Sequence, residues 1–366
     1  MKRSKYIISG GGTGGHIYPA IAVANALKKA DPNALIVFVG ARGKMEMEKV
    51  PQAGYKIHGL WISGIQRKQP WRNFLFPLKL IISCIQAFVI WWRYRPDILV
   101  GTGGFASGPM LFIGNLLGSK TFLQEQNSYA GLTNKLLSKK ANGIAVAYDK
   151  MERYFPKDKI HFTGNPVRSS LLRVDQHKAS AVEHFGLDPA KKTVVVLGGS
   201  LGAKTINELI ASRLSYFQKY DLQLLWQTGR LYYTQYQSLQ SKAVVIYPFI
   251  KEMEYLYSVA NFIISRAGAA SISELCVVGK PVILIPSPNV AENHQYHNAR
   301  ALEEKQAALV IEEKNIQADF DTQFSTLISS SSLQQNLVDN IKKLAQPNAT
   351  KAIVTSIHSL NRQHEN

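Results

Sequence analysis

Cysteine is nearly absent from this chain: Cys84 and Cys276 are the only two in 366 residues. They stand far apart in apolar surroundings, with no CxxC pair and no histidine at zinc-site spacing. That excludes a disulfide framework and points to a reducing compartment. Acid is scarce as well, 25 Asp and Glu against 43 Lys and Arg, for a formal net charge of +18. Charged residues of both signs make up only 19% and hydrophobic ones 46%, which excludes a disordered tail protein. A long apolar leader is also missing. The basic start Met1-Lys2-Arg3-Ser4-Lys5 is followed only by Tyr6-Ile7-Ile8 before a glycine run, too short for the apolar region of a signal peptide.

What is present is size and an uneven positive charge. At roughly 150 residues per domain the length suits two domains. Residues 1–167 hold 23 Lys and Arg against 8 Asp and Glu, a balance of +15, whereas residues 168–366 hold 20 against 17. The first half should therefore meet an anionic partner: nucleic acid, a membrane surface or a phosphorylated ligand. Nucleic acid is disfavoured, because no recognised motif is present and the aromatic residues cluster with aliphatic ones.

Two stretches share one grammar of apolar strand, glycine cluster and helical pattern. The first runs from Tyr6 through Gly10 to His16 into a helix from Ala20 to Lys29; the second runs from Val194 through Gly198 to Ala203 into a helix from Ile206 to Leu214. Each reads as the opening strand, turn and helix of a doubly wound α/β sheet, so two Rossmann-like domains are expected, facing across a cleft. Buried parallel strands are expected at 36–40, 97–101 and 121–123, and again at 222–226, 244–246, 261–264 and 281–285. The boundary falls near Gly164-Asn165-Pro166-Val167-Arg168, where Asn-Pro disfavours helix and follows a short strand.

Phe74 to Trp92 is the most apolar stretch. At about 1.5 Å per residue a helix here approaches the thickness of a bilayer core. Lys79, Gln86 and Pro77 argue against a spanning helix, and a helix covering the sheet is the simpler alternative. Trp61, Trp71, Trp91 and Trp92 lie in or beside this stretch, mixed with Arg67, Lys68, Arg72, Arg93 and Arg95, a mixture that suits a membrane interface.

Gly10-x-Gly12-x-x-Gly15 matches the dinucleotide fingerprint in form, but the second strand ends Val39-Gly40-Ala41-Arg42 without the acid that would hold a ribose. An NAD site is therefore disfavoured. The loop still offers close backbone approach and a helix N-terminus to an anion, and it equally fits a tight turn holding no ligand. His16 reads either as a base beside a nucleophilic hydroxyl or as a capping or solvated histidine. Glu274, on a helix beginning near Ala269, fits a reader of sugar hydroxyls or a surface carboxylate favoured by the helix dipole. Asn293 to Asn298 is dense in amide and imidazole groups, which suits a hydroxyl-rich ligand or an ordinary polar loop. Asp319-Phe320-Asp321 has the metal-binding DxD form but lacks strand or glycine context and is read as a solvated loop; no metal set is expected.

Six ordered motifs carry a resemblance over most of the chain: Gly11 to Ala20, Gly103 to Pro109, Glu125 to Asn134, Gly164 to Arg168, Gly198 to Ala203 and Arg266 to Glu274. Together they resemble the MurG family, the UDP-N-acetylglucosamine transferases that make lipid II in bacterial peptidoglycan synthesis. The resemblance implies a GT-B fold, with residues 1–167 as acceptor and membrane-association domain and residues 168–348 as donor domain. A C-terminal helix at about 350–362 would pack back on the first domain. It implies UDP-N-acetylglucosamine contacts from Thr13, Gly14, Gly15, Asn127, Arg168, Ser200, Ile250, Ala269, Ala270, Ser271, Ile272, Ser273, Glu274 and Gln295. The Ile250 main chain would read uracil, Glu274 the ribose and Gln295 the sugar, while Ser200 and the N-terminus near Ala269 would hold the pyrophosphate. Acceptor-side candidates are Gly104, Phe105, Ser107, Glu125 and Asn134.

The chain departs from that family's pattern at Gln124, where histidine is common, at Phe105, where tyrosine is frequent, and at Asn293, a place often held by aspartate. The implied reaction displaces UDP at the anomeric carbon of N-acetylglucosamine by the 4-hydroxyl of the N-acetylmuramoyl unit of lipid I, with inversion, His16 as candidate base and no cofactor. It implies an enzyme at the cytoplasmic face of the bacterial inner membrane, held by an anionic lipid surface. A UDP-N-acetylglucosamine 2-epimerase and a non-catalytic nucleotide-sugar-binding membrane subunit are the alternatives.

Overall fold

The computed structural model describes residues 3–65 and 70–362. Arg67 and Lys68 lie outside them, as does the side chain of Arg72. The chain divides into two compact units, one of residues up to Pro166 together with those from Asn348 onward, the other Val167–Pro347.

The first unit is built on seven parallel strands: β1 (Lys5–Gly10), β2 (Leu35–Ala41), β3 (Lys56–Leu60), β4 (Ile98–Gly103), β5 (Lys120–Glu125), β6 (Gly143–Val146) and β7 (Ile160–Phe162). Their order is β3-β2-β1-β4-β5-β6-β7. The second unit repeats the plan with β8 (Lys192–Leu197), β9 (Leu222–Gln227), β10 (Val244–Tyr247), β11 (Ala260–Ser265), β12 (Val282–Leu284) and β13 (Leu309–Val310), ordered β10-β9-β8-β11-β12-β13. In both sheets the order reverses beside the first strand, the topological switch point where ligands of such folds bind. The expected doubly wound sheets are present. The sequence reading passed over β3, β6 and β13: β3 lies at a sheet edge with a mostly half-buried pattern, and the other two are only four and two residues long.

Strand residues alternate between two cores because successive side chains leave a strand on opposite faces. In the first unit Ile7, Val37, Val39 and Leu99 enter one core, while Tyr6, Ile8, Phe38 and Val100 enter the other. The second core also takes Ile353, Val354, Ile357 and Leu360 from the closing helix Ala349–Arg362.

Helix α1 (Gly14–Ala30) begins six residues before its expected start, with Pro19 inside it. Tertiary contacts to the glycine turn outweigh the local bias of glycine and proline. Helices α2 (Glu46–Gln52), α3 (Phe76–Tyr94), α4 (Ser107–Leu116) and α5 (Leu132–Ser138) follow. Helix α3 buries a narrow face, Ser83, Ala87 and Ile90, packed chiefly against α4; Ala87 and Ile90 join the core on the sheet, so it covers the sheet by that face alone. Ile81, Ile85, Val89 and Trp92, at helical spacing on the other face, are 58–60% exposed. Asp319-Phe320-Asp321 is not the loop expected from sequence. It lies in the helix Ile316–Ser329, with Phe320 buried among Phe217 and Phe324 and Asp321 paired to Arg213 at 3.2 Å, because the apolar stripe Ile316, Phe320, Phe324 and Leu327 buries that segment.

Replacing Ile357 by Ala should cost about 2–5 kcal/mol, since a buried methyl-rich side chain is removed from a packed site. In thermal denaturation the melting temperature falls by several degrees; an unchanged value would mean that the closing helix contributes nothing to the core.

Candidate active site

In the first unit the site is built where β1 and β4 end. Gly12 adopts φ +86°. The chain then enters α1 with Thr13 extended at the N-cap and no side chain capping the helix, which leaves the N–H groups of Gly14 and Gly15 to an anion. His16, half-buried in the first turn, places Nδ1 3.1 Å from the Gly11 carbonyl and 3.3 Å from the Thr13 hydroxyl. A carbonyl only accepts, so Nδ1 carries the proton and Nε2 keeps its lone pair. Burial holds the imidazole below the ordinary histidine value, against the opposing pull of the Gly11 carbonyl and the Glu46 charge. A neutral ring with an unprotonated nitrogen is the form that a general base requires.

The backbone at the end of β4 packs directly on this histidine. A Cβ on Gly103 would lie 3.2 Å from His16 Nε2, and one on Gly104 would lie 2.2 Å from the Gly11 oxygen, so both positions need glycine, with φ +94° and +79°. The Phe105 ring fills the space above Gly12 and Gly64, where a Cβ would stand 3.1 and 3.0 Å away. Ser107 is buried and its hydroxyl donates to the Gly104 carbonyl at 2.8 Å, so it shapes the turn and does not face outward.

Glu125, at the end of β5, is buried with Asn134. Its carboxylate accepts from Asn134 Nδ2 at 2.9 Å, Gly131 N at 3.0 Å, and Asn127 N and Nδ2 at 3.1 and 3.3 Å. Burial pushes the Glu125 carboxyl up, and these hydrogen bonds oppose the shift. Gln124 donates to Asn165 Oδ1 at 2.8 Å, so the residue that departs from the family pattern is a buried structural amide here. Asn134, Glu125 and Asn127 thus form one network, with the Asn134 amide coming to the same spot beside Gly103 as His16.

In the second unit the turn Gly198–Ala203 closes on itself, Gly202 N donating to Gly199 O at 3.1 Å, with both glycines at positive φ. Ser200 is exposed at its tip. The helix Ala269–Val278 starts from an extended Gly268 without a side-chain cap, and its first intrahelical bond is Ile272 N to Gly268 O, so the N–H groups of Ala269, Ala270 and Ser271 precede the helical ladder. Ile272 faces the core, and the Ser273 hydroxyl donates to the Ala269 carbonyl at 2.9 Å. Of the run named from sequence, the helix therefore offers its N-terminal N–H groups and the Glu274 carboxylate.

Glu274 is held between Arg168, at 3.3 Å, and the buried Tyr257 hydroxyl, which donates at 3.2 Å. Burial raises the Glu274 carboxyl, opposed by the Arg168 charge and the tyrosine hydrogen bond. Ile250 N donates to Gln227 Oε1 at 2.9 Å, while Gln227 Nε2 donates to the Gly199 carbonyl at 3.2 Å. One buried amide thus ties the candidate uracil edge to the candidate phosphate turn. Gln295 accepts from Ser287 N at 2.9 Å, which leaves its NH₂ group to donate. Sequence reasoning missed Glu46, Tyr257 and Gln227, since each acts through contacts that no local motif announces. Among the described residues no group of three or more His, Cys, Asp or Glu could hold a metal ion.

Both halves match models of one family. Residues 6–146 match the glycosyltransferase family 28 N-terminal domain and residues 193–356 its C-terminal domain. The chain belongs to glycosyltransferase family 28. A relative from Flavobacterium psychrophilum, 53% identical over 98% of each chain, is a UDP-N-acetylglucosamine–N-acetylmuramyl-(pentapeptide) pyrophosphoryl-undecaprenol N-acetylglucosamine transferase. One from Bacteroides thetaiotaomicron with the same name is 47% identical over 98% of each chain. Among solved structures, MurG of Acinetobacter baumannii superimposes with a TM-score of 0.78 at 26% identity, covering 97% of this chain and 99% of that one. The UDP-GlcNAc 2-epimerase of Neisseria meningitidis is similar at a TM-score of 0.65 and 15% identity, covering 98% and 100%, a likeness of fold alone. The family 28 chain is thus a glycosyltransferase of GT-B architecture, two Rossmann-like domains on one chain.

Tyr257→Phe should raise the KM for a nucleotide-sugar donor several-fold with little change in kcat, because the hydroxyl that holds the Glu274 carboxylate is removed. Steady-state kinetics with varied donor read this directly; an unchanged KM would remove Tyr257 from the donor site.

Proposed function

We infer that this family 28 enzyme transfers N-acetylglucosamine from UDP-N-acetylglucosamine to the 4-hydroxyl of the N-acetylmuramoyl unit of undecaprenyl-pyrophosphoryl-N-acetylmuramoyl-pentapeptide, with inversion. The observation that carries this reading is the 53% identity over 98% of both chains to a transferase of that name.

The second unit supplies the donor site. The N–H groups at Ala269, Ala270 and Ser271 and the turn at Ser200 receive the pyrophosphate, where the helix dipole favours negative charge. The Ile250 main chain meets uracil, Glu274 with Arg168 the ribose, and the Gln295 amide the sugar hydroxyls. The first unit supplies the acceptor site, with Thr13, Gly14, Gly15 and Asn127 completing the donor contacts and Gly104, Phe105, Glu125 and Asn134 framing the acceptor. His16 Nε2 takes the proton of the attacking hydroxyl as the bond to the anomeric carbon forms and the bond to UDP breaks. The negative charge that develops on the departing diphosphate falls on preorganised N–H donors, each worth about 3 kcal/mol where an oxyanion develops.

The acceptor is a lipid, and the enzyme is peripheral to the cytoplasmic face of the inner membrane. Helix α3 supports this: it is the only described helix long and apolar enough to span a bilayer, yet one narrow face is packed and the rest, with Trp92 under the Arg95 guanidinium at 3.7 Å, lies open. Amphipathic helices with basic and tryptophan borders lie in the interface plane. No nucleic acid is a partner.

Purified enzyme with labelled UDP-N-acetylglucosamine should release UDP only when a lipid I analogue is added; acceptor-independent epimer formation would overturn the assignment. His16→Ala should lower turnover about 10²–10⁴-fold with donor affinity retained, the range of general-base contributions. In the wild type kcat/KM should fall as pH drops through a value below the ordinary histidine pKa, because the ring must be neutral to accept a proton. Undiminished turnover in His16→Ala would remove it as the base. Binding to anionic liposomes should weaken in Ile85→Glu and at high salt, while turnover on a short-chain acceptor persists; salt-insensitive binding would remove the electrostatic part of the membrane reading.

A further inference from the structure

The peptide group joining Gly11 to Gly12 is held from both ends. Its carbonyl accepts the His16 Nδ1 proton at 3.1 Å, and its N–H donates to Glu46 Oε2 at 3.0 Å. The other carboxylate oxygen, Oε1, accepts from Ala41 N at 3.0 Å, which anchors Glu46 to the end of β2. Glu46 is fully buried at the start of α2. The neighbouring backbone is cut to fit it: a Cβ on Gly11 would lie 2.1 Å from Oε1, and one on Gly40 would lie 2.4 Å from the Glu46 Cγ. From the far side Gly104 leaves room for the Gly11 carbonyl. Glycines at 11, 40 and 104 thus let a carboxylate, a peptide and an imidazole line up.

We propose that Glu46 is a positioning residue that acts on His16 through this single peptide group, fixing the Nδ1–H tautomer and strengthening Nε2 as a proton acceptor. A carboxylate accepting from the N–H polarises the amide, so its carbonyl becomes a better acceptor for Nδ1–H, and chains of hydrogen bonds strengthen one another in this way. A carbonyl or carboxylate behind a histidine sets its tautomer and raises its basicity in metal sites by the same logic. The direct field of Glu46 acts in the same direction, favouring the imidazolium that forms when the proton is taken. The groups around the ring are the Thr13 hydroxyl and Gly11 carbonyl from its own segment, the Gly103 and Gly104 backbone at the end of β4, and the Glu46 charge from α2. The Asn134 amide comes to the same place from α5 without a charge.

This proposal rests on the reading of His16 as the base, and the experiment separates the two. Nitrogen-15 NMR of histidine-labelled enzyme reads the tautomer and pKa of His16 without reference to activity. In the wild type the neutral ring should show a protonated Nδ1 and a bare Nε2; the opposite tautomer overturns the proposal even if no variant folds. In Glu46→Gln one amide face turns a donor toward a backbone N–H and the charge is lost. The His16 pKa and the acid limb of the kcat/KM profile should then move to lower pH, and kcat should fall about 10–100-fold, the range for groups that orient a ligating or reacting side chain. Donor affinity should stay within about twofold, and Glu46→Asp, which keeps the charge, should recover part of the turnover. A folded Glu46→Gln with unchanged His16 nitrogen shifts and acid limb overturns the role of Glu46. Unaltered turnover in His16→Ala with shifted nitrogen signals in Glu46→Gln instead removes the base reading and leaves the coupling standing.

Discussion

Close approach of backbone to backbone at the heads of the two sheets is the constraint on which the site depends. In the first unit the Gly104 backbone sits where a Cβ would touch the Gly11 oxygen at 2.2 Å; in the second, a Cβ on Gly202 would stand 2.1 Å from the Thr228 oxygen and one on Gly229 2.1 Å from Gly202 N. Only glycine permits such contacts, and all three positions, like Gly12, also have positive φ. The reward is a set of N–H groups and carbonyls that face the ligand side without side chains in front of them. Helix N-termini then add their partial positive charge, which suits a diphosphate and costs no reorganisation when charge develops.

Around these turns polar groups are buried and largely hydrogen-bonded, although among the described residues Gln126 Oε1 and Asn134 Oδ1 have no partner. Glu125, Asn134, Gln124, Gln126 and Asn165 are all nearly inaccessible, and Glu125 alone accepts four hydrogen bonds. In a low-dielectric interior such a network is rigid when satisfied and costly when broken. Glu274 follows the same rule in the second unit, with a cation on one side and a phenol on the other.

The apolar surface is treated differently in different places. Inside the first unit strand residues alternate into two dense cores, whereas α3 leaves most of its apolar side chains in solvent. The long exposed stripe of Ile81, Ile85, Val89 and Trp92 is more than scattered exposure, and the surrounding basic residues give it one sign of charge. That combination connects the shortage of acid in the chain with a lipid acceptor.

The strand-turn-helix grammar was legible in the residues, because parallel strands are continuous apolar runs and their turns need glycine whatever surrounds them. So were His16, Glu274 and the helix at Ala269, since motifs of contiguous residues survive in sequence. The departure at Gln124 was visible too, but not its meaning, which depends on Asn165 forty-one positions away. Short strands such as β6 and β13 carry too few residues for a pattern, and Asp319-Phe320-Asp321 reads as loop because a phenylalanine between two aspartates looks polar from local composition. Sequence alone thus determined the fold class, with its two Rossmann-like units, and the place of the glycine turns. Only the tertiary structure decided which groups stand behind the candidate ones: Glu46 behind His16, Tyr257 behind Glu274 and Gln227 between Ile250 and Gly199. Hydrogen bonds across the chain are set by packing, and packing is not written in any local spacing.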